Sequence, residues 1–377
     1  MRLDLTSEKI YVIDPPNCQD ADDAFTIVGD YLWVFIADPT NEFSVGDEIY
    51  NRILRQGTTK YSLFREPEHL FPRSIVEKCS LNGGIKNAIG IKMRLVDNHV
   101  VDSEIHLVRI KIERHSTYYN VEDDEVILRG IEISRNLFDT RQGKGKLLSN
   151  YQVNLPINEN GKWIFKKDSV KVKALKNMIA EFAIKCNQIV SEKIKVNLNR
   201  VCNSVDTDNP EDMIFDIIKN GIKAEYKLSD NKHLLIDNKT YTHFTSPLRR
   251  ANDCLVHFLL KGHFIDLREI DRTTKHINRI IKQDKKKQYN EIKRCSIMAM
   301  NEILKKGELN IKLRIVSYTG LFLNMIISKV NNFNTQISIT LRRRNYVVSE
   351  TEIDIQITTI NLNKKFDNEI FPDLVNI

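Results

Sequence analysis

Four aspartates within ten residues, Asp14, Asp20, Asp22 and Asp23, form the densest set of chemistry-bearing side chains in the sequence. They sit in Ile13-Asp14-Pro15-Pro16-Asn17-Cys18-Gln19-Asp20-Ala21-Asp22-Asp23-Ala24, a Pro-containing turn after a β-prone run. In an extended chain Asp20 and Asp22 share a face, and Asp23 joins them only if the backbone bends. Converging carboxylates repel: at 4 Å and an effective dielectric of 20, each pair costs about 4 kcal/mol. Such a cluster persists either as a solvated acidic turn or as a site neutralised by hard cations. All-oxygen ligation suits Mg²⁺, with Mn²⁺ as the alternative. A calcium loop of the EF-hand type is excluded. Counted from Asp20, its required Gly and Glu positions hold Phe25 and Tyr31.

A second constellation is Tyr241-Thr242-His243-Phe244-Thr245-Ser246-Pro247-Leu248-Arg249-Arg250. Ser246 reads as a helix N-cap and Pro247 as a first helical residue. Two arginines in a first turn run against the helix dipole, which makes sense if they serve a phosphate. A solvated basic helix start and a phosphoacceptor Ser-Pro-x-Arg are the competing readings. The nine His and six Cys show no zinc spacing.

The elements that must position these residues read as follows. Short strands are expected at 9–13, 25–28, 32–36 and 89–95, with a helix over 44–56. Apolar residues Leu175, Ile179, Phe182, Ile189 and Val190 predict a helix over 168–196. Further helices are expected over 210–222, 247–261 and 268–305, the last a long basic helix or helix pair. After Gly307 the apolar period switches to two, and strands at 310–317, 321–328, 336–341, 346–349 and 352–360 suggest a small OB-like β-barrel. The fold class is therefore α+β, with one unit over 1–306 and a second over 307–377.

Composition narrows the function classes. Hydrophobic residues make up 41% and charged residues 28%, which excludes wholesale disorder. No run approaches the ~20 apolar residues of a membrane span. The balance of 57 Lys+Arg against 50 Asp+Glu gives +7, which permits a polyanionic partner without requiring one. Scattered cysteines and a charged N-terminus without an apolar stretch predict an intracellular, cytoplasmic protein with reduced thiols, and a monomer is expected. Abundant Ile, Lys and Asn carry the bias of an AT-rich genome.

Taken together, the two constellations resemble the catalytic RNB domain of the ribonuclease II/ribonuclease R family, which the exosome's nuclease shares. Residues 13–24 follow its I-D-P-x-x-x-x-D-x-D-D-A motif, and 241–250 follow Y-x-H-F-T-S-P-I-R-R with Leu248 for Ile. Between them, in order, Phe35-Ile36-Ala37-Asp38 is similar to H-I-A-D, and Arg55 to Tyr61 to R-G-T-S-x-Y. Cys79-Ser80-Leu81-Asn82 matches C-S-L-N, and Glu181-Phe182 with Asn187 matches the E-F-M…A-N helix. The matches span about 9–305.

The resemblance implies an RNB fold, a mixed β-sheet flanked by helices around a channel. It also implies a 3′→5′ exoribonuclease that hydrolyses single-stranded RNA to nucleoside 5′-monophosphates with two divalent ions. By that resemblance Asp14, Asp20 and Asp23 would ligate metal, and Asp22 would be the critical catalytic carboxylate. Arg249 would contact the scissile phosphate, with Arg250 as a second phosphate contact. Tyr61 would stack on the terminal base and Glu181 would hydrogen-bond the terminal ribose.

The sequence departs from the family at Phe35, where His is usual, and at Ala251, where Tyr is usual. The cold-shock domains that usually precede the RNB domain have no counterpart before Asp14, so a trimmed architecture is expected. Arg342, Arg343 and Arg344 are candidate phosphate contacts or an exposed strand end. The stretch 282–287 is a solvated helix face or an RNA contact. The alternative function is a catalytically silent RNA-binding or assembly subunit. A third reading is an endonuclease or DNase using the same cluster.

Overall fold

The computed structural model describes residues 2–376 apart from 123, 142, 144–145, 147–150, 204, 206, 208, 237–239, 320 and 343–351. Its first sheet has five strands in the order Leu3–Leu5, His99–Ile112, Gly84–Val96, Tyr31–Ala37, Asp23–Val28. All neighbours are antiparallel except the first pair. The hairpin between Gly84–Val96 and His99–Ile112 turns at Asp97 and Asn98, both at positive φ (49° and 59°). Asp and Asn accept that conformation, and it matches the twist of the paired strands. The sheet's apolar positions, including Leu32, Val34, Ile36, Ile89, Ile91 and Val108, are buried in the larger hydrophobic core.

Helices cover this core. Glu48–Gln56 is capped by Asp47, which accepts from Tyr50 N–H, and ends at Gly57 with φ 75°. Val170–Lys193 is capped by Ser169, whose hydroxyl accepts from Val172 N–H. It buries Leu175, Met178, Phe182, Cys186 and Val190 at helical spacing, as the apolar pattern predicts. Pro210–Lys219 follows an Asn209 cap.

The basic stretch near the C-terminal part is one continuous helix, Leu267–Leu304, of 38 residues and so about 57 Å long. Ile270 and Ile277 near its start belong to the larger core. Ile297, Ala299 and Met300 near its end belong to a second core. One helix thus runs through both.

The second core is closed by an antiparallel sheet in the order Phe333–Arg342, Phe322–Val330, Leu309–Tyr318, Glu352–Ile357. Four of the five expected strands are therefore present. The fifth, at 346–349, lies outside the described residues, as do Arg343 and Arg344. The described strands form a sheet with two edges, and closure into a barrel is not a property they show. The hairpin Pro156–Glu159/Lys162–Phe165 contributes Phe165 to this core, and Phe165 packs against Phe333.

Candidate active site

The aspartate segment is a loop closed at its base. Tyr11 and Phe25 exchange both backbone hydrogen bonds at 2.9 Å, so the intervening chain is one confined excursion. Val12–Asp14 pairs in parallel with His115–Thr117, and Asn17 takes a left-handed turn at φ 63°. The far side is pinned by the other motif residues. Ala21 N–H donates to Ser80 Oγ (3.0 Å). Leu81 N–H donates to the Ala21 carbonyl (2.9 Å) and Ala37 N–H to the Asp22 carbonyl (2.8 Å). The segments at 35–38 and 79–82 therefore act as backbone clasps on the loop. This supplies the backbone bend that lets Asp23 join Asp20 and Asp22 at one cavity.

The second constellation departs from its expected form. The Ser246 carbonyl accepts from Arg249 and Arg250 N–H (3.3 and 3.1 Å), making a single turn. Arg250 is extended (φ −136°, ψ 119°), and the helix begins only at Ala251 and runs to Leu260. Ser246 and Pro247 thus do not open the helix, and the two arginines precede its first turn. The cause is the neighbouring loop at 57–60. Thr59 N–H and Thr58 Oγ1 donate to the Arg249 carbonyl (3.0 and 2.9 Å), and Ala251 N–H donates to the Gly57 carbonyl (2.9 Å). These bonds occupy backbone groups that a helical turn would have used. Asn187, from Val170–Lys193, secures the other end. Its Nδ2 donates to the Tyr241 hydroxyl (2.9 Å) and its Oδ1 accepts from Phe244 N–H (2.8 Å).

The two constellations meet at Asp22. Its Oδ1 accepts from Leu248 N–H (2.8 Å) and its Oδ2 from Arg249 Nε (3.0 Å). Arg249 Nη2 donates to Ser246 Oγ (2.8 Å). A cavity of about 670 Å³ is lined by Asp14, Asp20, Asp22, Asp23, Tyr61, Arg249 and Arg250, with Tyr118, Lys176 and His243 on its walls. Seven of the eight expected site residues therefore share one cavity.

Each has defined partners. Asp20 Oδ2 accepts from the Tyr61 hydroxyl (2.6 Å), and Asp14 lies 3.0 Å from His115 Nε2. Arg250 donates twice to Asp253 Oδ2 (3.0 and 2.7 Å). Tyr61 lines the cavity, and the residue as a whole is 39% exposed.

Burial raises the Asp22 carboxyl well above the ordinary range, against the pull of Arg249 and the Leu248 N–H, with Asp20 adding to the rise. Burial, then the Asp14 charge, pushes Asp23 up to about 7. Carboxylates held in this way favour either protons or cations. In donor type, four all-oxygen carboxylates fit a hard divalent ion. Among the described residues no three potential ligands converge as a ready-made metal shell. Asp14, Asp20 and Asp22 instead lie against the protein partners just named.

Glu181 is the exception among the expected site residues. The helix Val170–Lys193 turns Lys176, Ile179, Ala180, Ala183 and Asn187 toward the cavity. Glu181, Ile184, Lys185 and Gln188 line a separate pocket. The Glu181 carboxylate is buried and pairs with Arg141 Nη2 at 2.9 Å. The structure therefore does not bring Glu181 together with the aspartates, because helical periodicity turns it to a different pocket. The sequence reading missed His115 and Tyr118 in the site. They belong to a short stretch after the hairpin that carries no motif, and only the parallel pairing with Val12–Asp14 brings them in.

A family model described as the RNB domain matches residues 2–220 and 197–266, most of the chain. The chain belongs to the RNB-domain family. It is 25% identical over 356 residues to a protein named ribonuclease R from Thermotoga maritima, covering 74% of this chain and 49% of that protein. It is 24% identical over 379 residues to ribonuclease R from Mycoplasmopsis pulmonis, covering 81% and 51%. This RNB chain thus spans about half the length of those curated relatives.

Among solved structures, its fold is similar to Mycoplasma genitalium RNase R in complex with ribose methylated single-stranded RNA. That match has a TM-score of 0.74 at 18% identity and covers 96% of this chain and 70% of that one. It is also similar to a structure of yeast Ssd1, a pseudonuclease, with a TM-score of 0.67 at 15% identity, covering 90% and 50%. Among the described residues of this RNB chain, no helix is long and apolar enough to cross a membrane.

Proposed function

We propose that this chain is a divalent-cation-dependent 3′→5′ exoribonuclease that hydrolyses single-stranded RNA to nucleoside 5′-monophosphates. The observation that carries the reading is the meeting of two distant motifs. Four carboxylates, Arg249 and Tyr61 line a single cavity, with Asp22 hydrogen-bonded to the backbone N–H of Leu248 and the side chain of Arg249.

The chain's own residues take the following parts. Tyr61 stacks on the terminal base, which gives affinity without sequence choice. Arg249 is anchored through Nε and Nη2, and its Nη1 has no protein partner among the described residues. That nitrogen is placed to donate to a phosphate oxygen and stabilise charge that grows there. Arg250 is tied to Asp253 and holds positive potential behind it. Asp22 orients Arg249 and the attacking water. Asp14, Asp20 and Asp23 would hold the ions, Mg²⁺ or Mn²⁺, which when bound supply Lewis acidity at the scissile phosphate. Residues 1–306 form the catalytic unit in this reading, and 307–377 form an accessory RNA-contacting unit.

A second reading, a catalytically silent RNA-binding or assembly subunit, is favoured by the protein contacts that Asp14, Asp20 and Asp22 already make. One experiment separates the two. The purified chain with Mg²⁺ or Mn²⁺ is expected to shorten 3′-hydroxyl single-stranded RNA stepwise and release 5′-monophosphates. Asp22→Asn should lower the rate at least ~10³-fold, about 4 kcal/mol in barrier, while RNA binding persists. RNA binding without hydrolysis under both ions would establish the silent subunit. Cleavage of circular RNA or of DNA would instead point to an endonuclease or DNase.

A further inference from the structure

His243 lies inside the second constellation, between Tyr241 and Ser246, and none of the roles given above uses it. It is half-buried and lines the catalytic cavity together with Asp22, Asp23, Arg249 and Arg250. Its two ring nitrogens differ in their partners. Nδ1 lies 2.7 Å from the Tyr226 hydroxyl. Nε2 has no protein partner among the described residues, and it is not sealed from solvent.

The place of the ring proton follows from what each arrangement leaves unpaired. Tyr226 is 2% exposed, and His243 Nδ1 is the only partner of its hydroxyl among the described residues. If Nδ1 were the donor, the buried phenol proton would have no acceptor and would suffer its full desolvation. If the hydroxyl donates to Nδ1, the phenol is satisfied and the ring carries its proton on Nε2. Burial pushes the Tyr226 phenol up to about 12, so it keeps the proton that this bond needs. Burial, then the charges of Arg250 and Arg200, hold the imidazole well below its ordinary value, so it is neutral at pH 7.

Tyr226 is itself firmly held. It pairs with Arg200 in the two-stranded ribbon Leu198–Val201/Glu225–Leu228, and the Arg200 guanidinium carbon sits 4.5 Å from the centroid of its ring. Asn278, on the long helix, bonds both backbone groups of Tyr226 (2.9 and 2.8 Å). The His243 ring also meets Tyr241 edge-on at 5.7 Å. A ring fixed on one nitrogen and unpartnered on the other is preorganised to donate to a ligand.

We infer that His243 donates a hydrogen bond from Nε2 to an acceptor oxygen of the RNA backbone in the catalytic cavity, with Tyr226 as the positioning residue that sets its tautomer. The inference rests on the proposed function. The acceptor is a phosphodiester oxygen or a ribose 2′-hydroxyl oxygen. The first fits the lining shared with Arg249 and Arg250, and the second would help to tell RNA from DNA.

Nitrogen NMR of histidine-labelled protein in EDTA reads the tautomer, with the His243 signals identified by their loss in His243→Gln. The wild type is expected to show a neutral ring protonated at Nε2 at pH 7, and Tyr226→Phe to lose that preference. Added single-stranded RNA should move the Nε2 signal more than the Nδ1 signal. A wild-type ring that is charged or protonated at Nδ1, or an Nε2 signal that RNA leaves in place, overturns the inference without any change at the cavity.

Fluorescence anisotropy in EDTA then compares RNA binding by two variants whose folding is checked by urea midpoint. Tyr226→Phe/His243→Phe removes donor and partner together, so no buried hydroxyl is orphaned. His243→Gln keeps a neutral N–H at similar reach. The double variant is expected to bind about tenfold or more weakly, and His243→Gln to stay within about threefold of the wild type. A strand with deoxyriboses at its 3′ end separates the two acceptors. A phosphate contact keeps the double variant's loss on that strand, and a ribose contact abolishes it. The inference is overturned if the double variant binds like the wild type, or if His243→Gln loses as much as the double variant. A wild type that binds no RNA overturns the inference and the proposed function together. A wild type that binds RNA but hydrolyses none under either ion overturns the exoribonuclease reading alone, and the binding comparison still decides the inference.

Discussion

Asp23 offers a test that does not depend on turnover. Its carboxyl is pushed up to about 7 by burial and then by the Asp14 charge, against an ordinary 3.8. The folded chain therefore binds more protons than the unfolded chain between about pH 4 and pH 7. Stability must fall as pH rises through that window. A rise from 3.8 to about 7 corresponds to up to about 4 kcal/mol. Asn in place of Asp23 keeps the shape and removes the charge. In EDTA, Asp23→Asn is expected to match the wild type near pH 4 and to exceed it by up to about 4 kcal/mol at pH 8. Urea unfolding followed by circular dichroism at a series of pH values measures this. If Asp23 helps to hold a cation, Mg²⁺ or Mn²⁺ at pH 8 should restore stability to the wild type and add little to the variant. An Asp23→Asn chain that is no more stable than the wild type at pH 8 would refute the claim that the carboxylate is held in an unfavourable environment. A stabilised variant combined with a wild type indifferent to cations would keep the electrostatics and remove the metal role.

Three other outcomes are expected. Tyr61→Ala should weaken single-stranded RNA binding by ~1–3 kcal/mol, whereas Tyr61→Phe, which loses only the bond to Asp20, should keep most of the affinity; equal losses would remove the stacking role. Glu181→Gln should remove the buried ion pair with Arg141 Nη2 and cost about 1–3 kcal/mol in chemical denaturation, with kcat per folded molecule unchanged; a raised KM without destabilisation would support the ribose contact. His233 is lowered to about 4 by burial and then by Arg200, so the unfolded chain binds the extra proton between about 4 and 6.5. Stability should drop by up to about 3 kcal/mol as pH falls through that window, and His233→Gln should flatten the drop in urea midpoints.

The parts legible in the sequence were those with a local signature. The apolar spacing of 175–190 predicted the helix that buries Leu175, Phe182 and Val190, and the period-two pattern after Gly307 predicted four strands of the second sheet. Local reading failed where a partner distant in sequence decides the conformation. Ser246-Pro247 has the chemistry of a helix start. Yet Thr58, Thr59 and Gly57 take the backbone groups of Arg249 and Ala251, and the helix waits for Ala251. No pattern within 241–260 carries that information. Glu181 stands apart from the other expected site residues for a different reason. A family motif names the residue, but helical phase decides which pocket it faces, and the cavity side is taken by Ile179, Ala180, Ala183 and Asn187.

The same contrast explains how four aspartates remain in a folded chain. Their mutual repulsion is managed by positions that look unremarkable in sequence. His115 meets Asp14, Tyr61 donates to Asp20, and the Leu248 N–H and Arg249 divide the two oxygens of Asp22. Asp23 receives no such partner in the hydrogen bonds of the described residues, and its carboxyl is pushed up to about 7. A solvated acidic turn would need none of these contacts and would leave its carboxyls at ordinary values. In the proposed reading the cost at Asp23 is offset when a cation arrives, and Asp23 lines the same cavity as Arg249, whose Nη1 has no partner among the described residues.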